Sequence, residues 1–247
     1  MITIKTPEEI KIISESGKIL ASALKKIKKM VKPGITTLEL DKAAEAFILS
    51  KNALPAFKGY DGFPYSLCAS VNENIVHGLP SSYILKEGDL LKLDLWVLYK
   101  GFNTDSAVTV AVGKISSEAK RLIAVTEKSL AAGIKKVKPG NTMGDIGHAV
   151  QSFAESQEFG VVRDLCGHGI GKSLHEDPKI PNFGKPAIGE KLTEGMVICI
   201  EPMITAGDYR LRKSDDGYGY ATRDNSLSAH FEHTIVVTKN GFKVLTK

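Results

Sequence analysis

Leu85-Lys86-Glu87-Gly88-Asp89-Leu90-Leu91-Lys92-Leu93-Asp94 returns later in the chain as Leu192-Thr193-Glu194-Gly195-Met196-Val197-Ile198-Cys199-Ile200-Glu201, 107 residues on. In both copies Glu-Gly turns the chain, an apolar run supplies a buried strand, and the run ends on a carboxylate. Upstream, Val31-Lys32-Pro33-Gly34-Ile35-Thr36 matches Val137-Lys138-Pro139-Gly140-Asn141-Thr142 at an offset of 106. Ala43 and Phe47 find Ala149 and Phe153 at that same offset. Downstream, Asp105-Ser106-Ala107-Val108-Thr109-Val110 and Glu232-His233-Thr234-Ile235-Val236-Val237 form a second pair of acid-led strands. The chain is one unit written twice, with Asp94 equivalent to Glu201 and Asp105 to Glu232.

The helices announce themselves by their starts. Thr6-Pro7-Glu8-Glu9 is a capping box with proline at the first helical position. Thr36 with Glu39 is a second box, and Thr142 with Asp145 a near relative. Pro-Gly supplies the corner between helices. The pattern predicts helices over about 7–30, 37–51, 117–136 and 143–158. Leu90–Leu98 and Asn103–Val112 flank Tyr99-Lys100-Gly101-Phe102, a hairpin signal that sets Asp94 and Asp105 roughly opposite one another. The second half follows the same plan, with a longer Gly- and charge-rich loop at about 206–226. The expected architecture is α+β, with two helix-plus-antiparallel-sheet halves, roughly 7–112 and 113–247, related by a pseudo-twofold and sharing one core. No Pro/Ser-rich linker separates them, so residues 1–247 are read as a single domain.

Composition sets outer bounds. At 247 residues, 43% hydrophobic and 25% charged, the chain has the make-up of an ordinary soluble globular protein. The net charge of +5 hints at anionic surfaces such as RNA, but the basic residues are spread out. The modest cluster between Lys25 and Lys32 reads as a solvated helix face. Cys68, Cys166 and Cys199 lack paired spacing, which fits a reducing compartment. The N-terminal residues hold no long apolar run, so neither a signal peptide nor a membrane span is expected, and a cytoplasmic location follows.

An ionised carboxylate inside an apolar strand costs several kcal/mol unless it is paired or metal-bound. One such acid invites a salt bridge as explanation. Four at symmetry-related positions would repel strongly on converging. Two divalent cations offset four carboxylates, and a neutral histidine completes a mixed oxygen and imidazole set suited to Mn, Fe, Co or Zn. His168 lies in Cys166-Gly167-His168-Gly169-Ile170-Gly171, where flanking glycines permit close backbone approach. His77 stands in Val76-His77-Gly78-Leu79-Pro80, and His175 follows His168 seven residues on. His148, His230 and His233 have blander surroundings and read as structural or supporting. Gly169-Ile170-Gly171-Lys172-Ser173 imitates the end of a phosphate-binding loop, but the first glycine of that pattern falls on Cys166. His230-Phe231-Glu232-His233 has the wrong order for a zincin.

Taken together, Val71 to Pro80, Leu93-Asp94 to Asp105, Gly167 to Gly171 with His175, Ile200-Glu201-Pro202-Met203, and Ser228 to Thr234 resemble the methionine aminopeptidases over essentially the whole chain. The resemblance implies the pita-bread α+β fold and two metal ions held by Asp94, Asp105, His168, Glu201 and Glu232, with Asp105 and Glu232 bridging. It implies catalytic roles for His77, His175 and Glu201. A methionine pocket is implied too, with Phe57, Tyr60, Phe63, Cys68, Leu174 and Tyr220 as walls beside His77 and His175. Two walls depart from the pattern: Leu174 stands where an aromatic is usual, and Tyr220 where tryptophan is common. A monovalent cation, Na or K, is implied near Asn72, Asn74 and Ser228.

The short spacing between His175 and Glu201 resembles the type I form. The expected activity is removal of initiator methionine from nascent chains by a cytoplasmic monomer, with possible transient ribosome contact and no membrane partner. Two other readings stay open on the sequence: an Xaa-Pro aminopeptidase or dipeptidase on the same fold, and a non-catalytic pita-bread binding module.

Overall fold

The computed structural model describes residues 2–247, and the helices begin where the caps place them. In α1 (Pro7–Lys28) the Thr6 hydroxyl accepts from Glu9 N–H, and the Glu9 carboxylate accepts from Thr6 N–H. The same reciprocal box opens α2 (Thr37–Leu49) at Thr36 and α4 (Met143–Glu155) at Thr142, while Ser116 caps α3 (Ser117–Ile134). Each helix stops two or three residues before its apolar pattern does. Past each end the backbone tightens into i→i−3 bonds, such as Met30 N–H to Ile27 O and Lys136 N–H to Gly133 O. Apolar residues such as Met30 and Val137 are therefore packed by a turn rather than by another helical residue.

The strand Leu90–Tyr99 is buried along nearly all its length, because both of its faces are covered. Leu91, Leu93, Leu95 and Val97 pack with Leu20, Ile27, Leu40 and Ile48 of α1 and α2. Alternation turns Lys92, Asp94 and Trp96 the other way. The second half repeats this logic: Ile198 and Ile200 pack with Leu130, Ile134 and Ile146 of α3 and α4, leaving Val197 and Cys199 on the opposite face, in step with Glu201.

Strand pairing is antiparallel throughout the described sheets. Leu90–Tyr99 pairs with Phe102–Ala111 through a turn in which Lys100 and Gly101 both have positive φ, at 49° and 82°, the geometry that suits a two-residue hairpin. That turn pairs Tyr99 with Phe102 and so fixes every later pair. Asp105 faces Trp96, and Asp94 faces Ala107. The two acids are therefore diagonal neighbours on one face, in keeping with the rough opposition expected from sequence. In the second half, Val197–Ile200 lies between His233–Thr238 and Cys166–Gly169, with Gly241–Val244 and Glu176–Pro181 outside them.

The 206–226 stretch corrects another expectation. It contains two short strands, Leu211–Lys213 and Tyr220–Thr222, and the latter pairs onward with Asn74–Val76. Three-residue strands carry almost no periodic signal, and this partner lies in the other half of the chain.

The halves are sewn along one seam. Asp105 N–H donates to Thr234 Oγ1 at 3.0 Å, and that hydroxyl donates back to Asp105 O at 2.7 Å. Ser106 Oγ donates to Glu232 O at 2.7 Å, and Glu232 N–H to Ala107 O at 2.9 Å. Val108 contacts both helical cores. The seam sets Asp105 beside Glu232. Among the described residues, no helix is long and apolar enough to cross a membrane.

Candidate metal centre

Asp94, Asp105 and Glu232 are 5%, 4% and 2% exposed, and each offers an oxygen within 4.8 Å of the others. Glu201 follows the strand Val197–Ile200 and approaches from the second half. His168 sits on Cys166–Gly169, with Nε2 3.7 Å from Glu201 Oε1 and 3.8 Å from Asp105 Oδ2. Its Nδ1–H donates to Gly169 O at 2.8 Å, which leaves the Nε2 lone pair aimed at the carboxylates. All five residues singled out in the sequence thus converge.

Their electrostatics follow from burial. Desolvation lifts Asp94 to about 6 and Glu201 to about 8. Burial first, then the adjacent carboxylates, push Asp105 and Glu232 well above the usual range. Burial, then His175, holds the His168 ring down to about 3, so it stays neutral. Asp94 Oδ1, Asp105 Oδ1 and Glu232 Oε1 are buried without a hydrogen-bond partner among the described residues. Orphaned oxygens beside an imidazole lone pair are a donor set that fits divalent first-row cations. Cys199 also lies within ligand distance of His168 and Glu232, but burial and the Glu232 charge push its thiol well up. Its Sγ is turned to Thr234 Oγ1 at 3.5 Å.

His230, read from sequence as structural or supporting, lies against the centre in the supporting position. Its Nε2 is 3.6 Å from Glu201 Oε2, and neither ring nitrogen has a hydrogen-bond partner. Burial lowers it to about 4. Its place two residues before Glu232 was the available signal.

Beside the centre is a cavity of about 160 Å³ lined by Phe57, Tyr60, Phe63, Cys68, His77 and His175, together with Trp96 and Tyr218. Phe57 stacks on Trp96 at 4.3 Å, and Leu174 is buried in the same apolar cluster. Tyr220 does not line this cavity. Its strand pairs with Val76, which places it with Ile75 and Val76, its ring 6.1 Å from His77. Tyr218 supplies the wall instead, held by its hydroxyl donating to Gly62 O at 3.0 Å. Trp96 was missed, although alternation from Asp94 puts it on the same face.

His175 stacks edge-on to His168 at 4.5 Å, and its Nδ1 shares a hydrogen bond with the Tyr60 hydroxyl at 3.2 Å, which leaves Nε2 free to face substrate. Burial lowers both His175 and His77, the latter to about 4, so both rings are neutral. A cleft of about 780 Å³ leads away from His168 and His175 past Lys5, Lys172 and Glu176.

Gly167 explains how His168 gets so close. A Cβ there would stand 2.2 Å from Cys199 O, so a side chain would force the His168 strand off the strand leading to Glu201. Gly167→Ala should cost about 1–3 kcal/mol, read as a lower Tm, together with weaker metal binding by calorimetry. A variant with unchanged Tm and metal affinity would refute this account of the glycine.

The residues Asn72, Asn74 and Ser228 also come together. Ser228 Oγ donates to Asn72 O at 2.8 Å, and Asn74 Oδ1 accepts from Ser214 Oγ at 2.7 Å.

Against known proteins, the chain matches the model of metallopeptidase family M24 over residues 11–239. It is 49% identical to a methionine aminopeptidase of Clostridium perfringens over 246 residues, covering 100% of this chain and 99% of the relative. It is 47% identical to methionine aminopeptidase 1 of Bacillus subtilis over 247 residues, the full length of both. The crystal structure of methionine aminopeptidase from Rickettsia prowazekii superposes with a TM-score of 0.98 at 44% identity, covering 100% of both chains. With a pita-bread backbone and a carboxylate cluster built for divalent metal, the chain belongs to metallopeptidase family M24, among its methionine aminopeptidases.

Proposed function

We propose that this protein removes the N-terminal methionine from peptides and nascent chains, with two divalent ions held by Asp94, Asp105, His168, Glu201 and Glu232. The observation that carries the reading is the placing of three orphaned carboxylate oxygens beside a small, mainly apolar cavity. That cavity is small and aromatic-walled. An unbranched thioether side chain is flexible and makes favourable contacts with aromatic rings, whereas a charged side chain would lose its hydration there. The cleft past His168 and His175 gives the rest of the peptide a way out.

Bound at these carboxylates, Co, Mn, Fe or Zn would supply Lewis acidity, polarising the scissile carbonyl and making water nucleophilic near neutral pH. The chain's own groups do the rest. Glu201 takes the proton of the attacking water and returns it to the leaving amine. His175 Nε2–H donates to the oxygen where negative charge develops, and because the ring is neutral it does so by dipole and hydrogen bond. His77, on the cavity wall, donates toward the scissile nitrogen. Phe57, Trp96 and Tyr218 exclude water from the side-chain pocket. The setting implied by nascent substrates is the cytoplasm, near the ribosome.

Purified protein should release methionine from Met-Ala-Ser, and do so only without chelator. Release from Leu-Ala-Ser should be slower by about 10- to 200-fold, the discrimination that a hydrophobic pocket provides. Preferential cleavage of Ala-Pro-Ser would favour a proline-directed exopeptidase, and no metal-dependent release of any residue would overturn the reading.

A further inference from the structure

Lys92 is only 1% exposed, and the mechanism gives it no task. It lies two residues before Asp94, so alternation turns its side chain to the face that carries the metal centre. Its Nζ donates to Asn72 O at 2.6 Å. Asn72 sits in the corner between the strands Leu67–Val71 and Asn74–Val76, at a φ of +53°. Its carbonyl also accepts from Ser228 Oγ at 2.8 Å and from Ser228 N–H at 3.2 Å.

Several oxygens around this corner already accept from protein donors. A carbonyl has two lone pairs, and Asn72 O already meets three donors. Asn72 Oδ1 accepts from Leu90 N–H at 2.9 Å, and Asn74 Oδ1 from Ser214 Oγ. Glu73 O accepts from Thr222 N–H at 3.0 Å. A sodium or potassium ion is held by several oxygens that replace its hydration shell, and at Asn72 O the Lys92 nitrogen already stands at 2.6 Å, where such an ion would be. The monovalent cation expected near Asn72, Asn74 and Ser228 would have to compete with Lys92 Nζ for the Asn72 carbonyl.

We propose that Lys92 takes the place of that ion: its side-chain nitrogen is a tethered substitute that makes the fold around the metal centre independent of sodium and potassium. One end of the link is the strand that carries Asp94. The other is the corner that leads to His77 and, through Ser228, to the segment that leads to Glu232. A free ion gives up translational freedom on binding, whereas a covalently attached nitrogen has none to lose. The bond to Asn72 O needs only an N–H, so it holds whether or not the amine carries its third proton.

The test is thermal unfolding of the divalent-loaded protein in choline, sodium and potassium chlorides at equal ionic strength. The unmodified protein should show one Tm, within about 1 °C, in all three salts. Lys92→Ser removes the tether and opens the corner. Its Tm should fall in choline and recover by about 2 °C or more in sodium or potassium. Thallous-ion NMR provides a second readout on the unmodified protein, with no bound resonance expected. Stabilisation of that protein by sodium or potassium over choline, or a bound thallous signal, would overturn the proposal. So would a Lys92→Ser Tm that is equally low in all three salts. Should the variant fail to fold, the two measurements on the unmodified protein decide alone.

Discussion

Asp105→Ala should cut kcat/KM on the order of 10³-fold or more and reduce bound metal from two ions per chain to one or none. Asp105 lies at the middle of the cluster, grouped with Asp94 and Glu232 within 4.8 Å and facing His168 Nε2 at 3.8 Å. Its removal therefore opens both halves of the site at once. Its backbone carries the seam through Thr234, and alanine keeps those N–H and C=O groups. The metal-free variant should be at least as stable as the metal-free parent, because a buried carboxyl whose Oδ1 has no hydrogen-bond partner is gone. Metal content by elemental analysis, steady-state kinetics and melting in chelator separate these effects. Two retained ions with activity within about tenfold would sink the ligand assignment. A metal-free variant that melts several degrees lower would show that Asp105 is structural instead.

Much of this centre was legible because duplication and alternation are both read along the chain. The repeat Leu85–Asp94 against Leu192–Glu201 paired the acids before any coordinates, and the capping boxes at Thr6, Thr36 and Thr142 located three helix starts. Alternation is equally specific about two further residues. Counting by two from Asp94 reaches Lys92 and Trp96 on the same face, one engaged at Asn72 and the other in the pocket wall. The illegible parts depend on register between distant segments. Nothing local says that Tyr220 pairs with Val76, so nothing local says that Tyr218, and not Tyr220, faces the cavity. The diagonal offset of Asp94 and Asp105 likewise depends on the number of residues in the Lys100-Gly101 turn, which a hairpin signal marks without fixing the pairs.

Stripped of metal, the protein should lose stability as pH rises from about 6.5 towards 8. Burial raises Asp94 from 3.8 to about 6 and Glu201 from 4.5 to about 8, with Asp105 and Glu232 displaced in the same direction. Such carboxyls keep their protons in the folded chain after the unfolded chain has lost them. Above the unfolded values, the folded state therefore binds more protons, and each rise in pH disfavours it. The buried histidines work the other way. His77 and His230 are held down to about 4, and His168 to about 3, from 6.5, so below 6.5 the unfolded chain binds the extra protons and rising pH stabilises. The two effects oppose one another up to about 6.5. Beyond it the raised carboxyls outnumber the one opposing group, Lys92, which burial lowers from 10.5 to about 7 so that above that pH the unfolded chain binds its extra proton. Over the interval to about 8 the chelated protein should drop by about 4 °C or more. With saturating divalent cation the carboxylates are ionised at lower pH, because metal and proton compete for the same oxygens. The loaded protein should then hold its Tm or gain, and the gap between the loaded and chelated forms should widen with pH. Scanning calorimetry across this interval, with chelator and with manganese, reads both curves. A chelated Tm that stays flat or rises would mean that the four carboxyls are better solvated than their burial indicates, and it would remove the electrostatic argument for two cations.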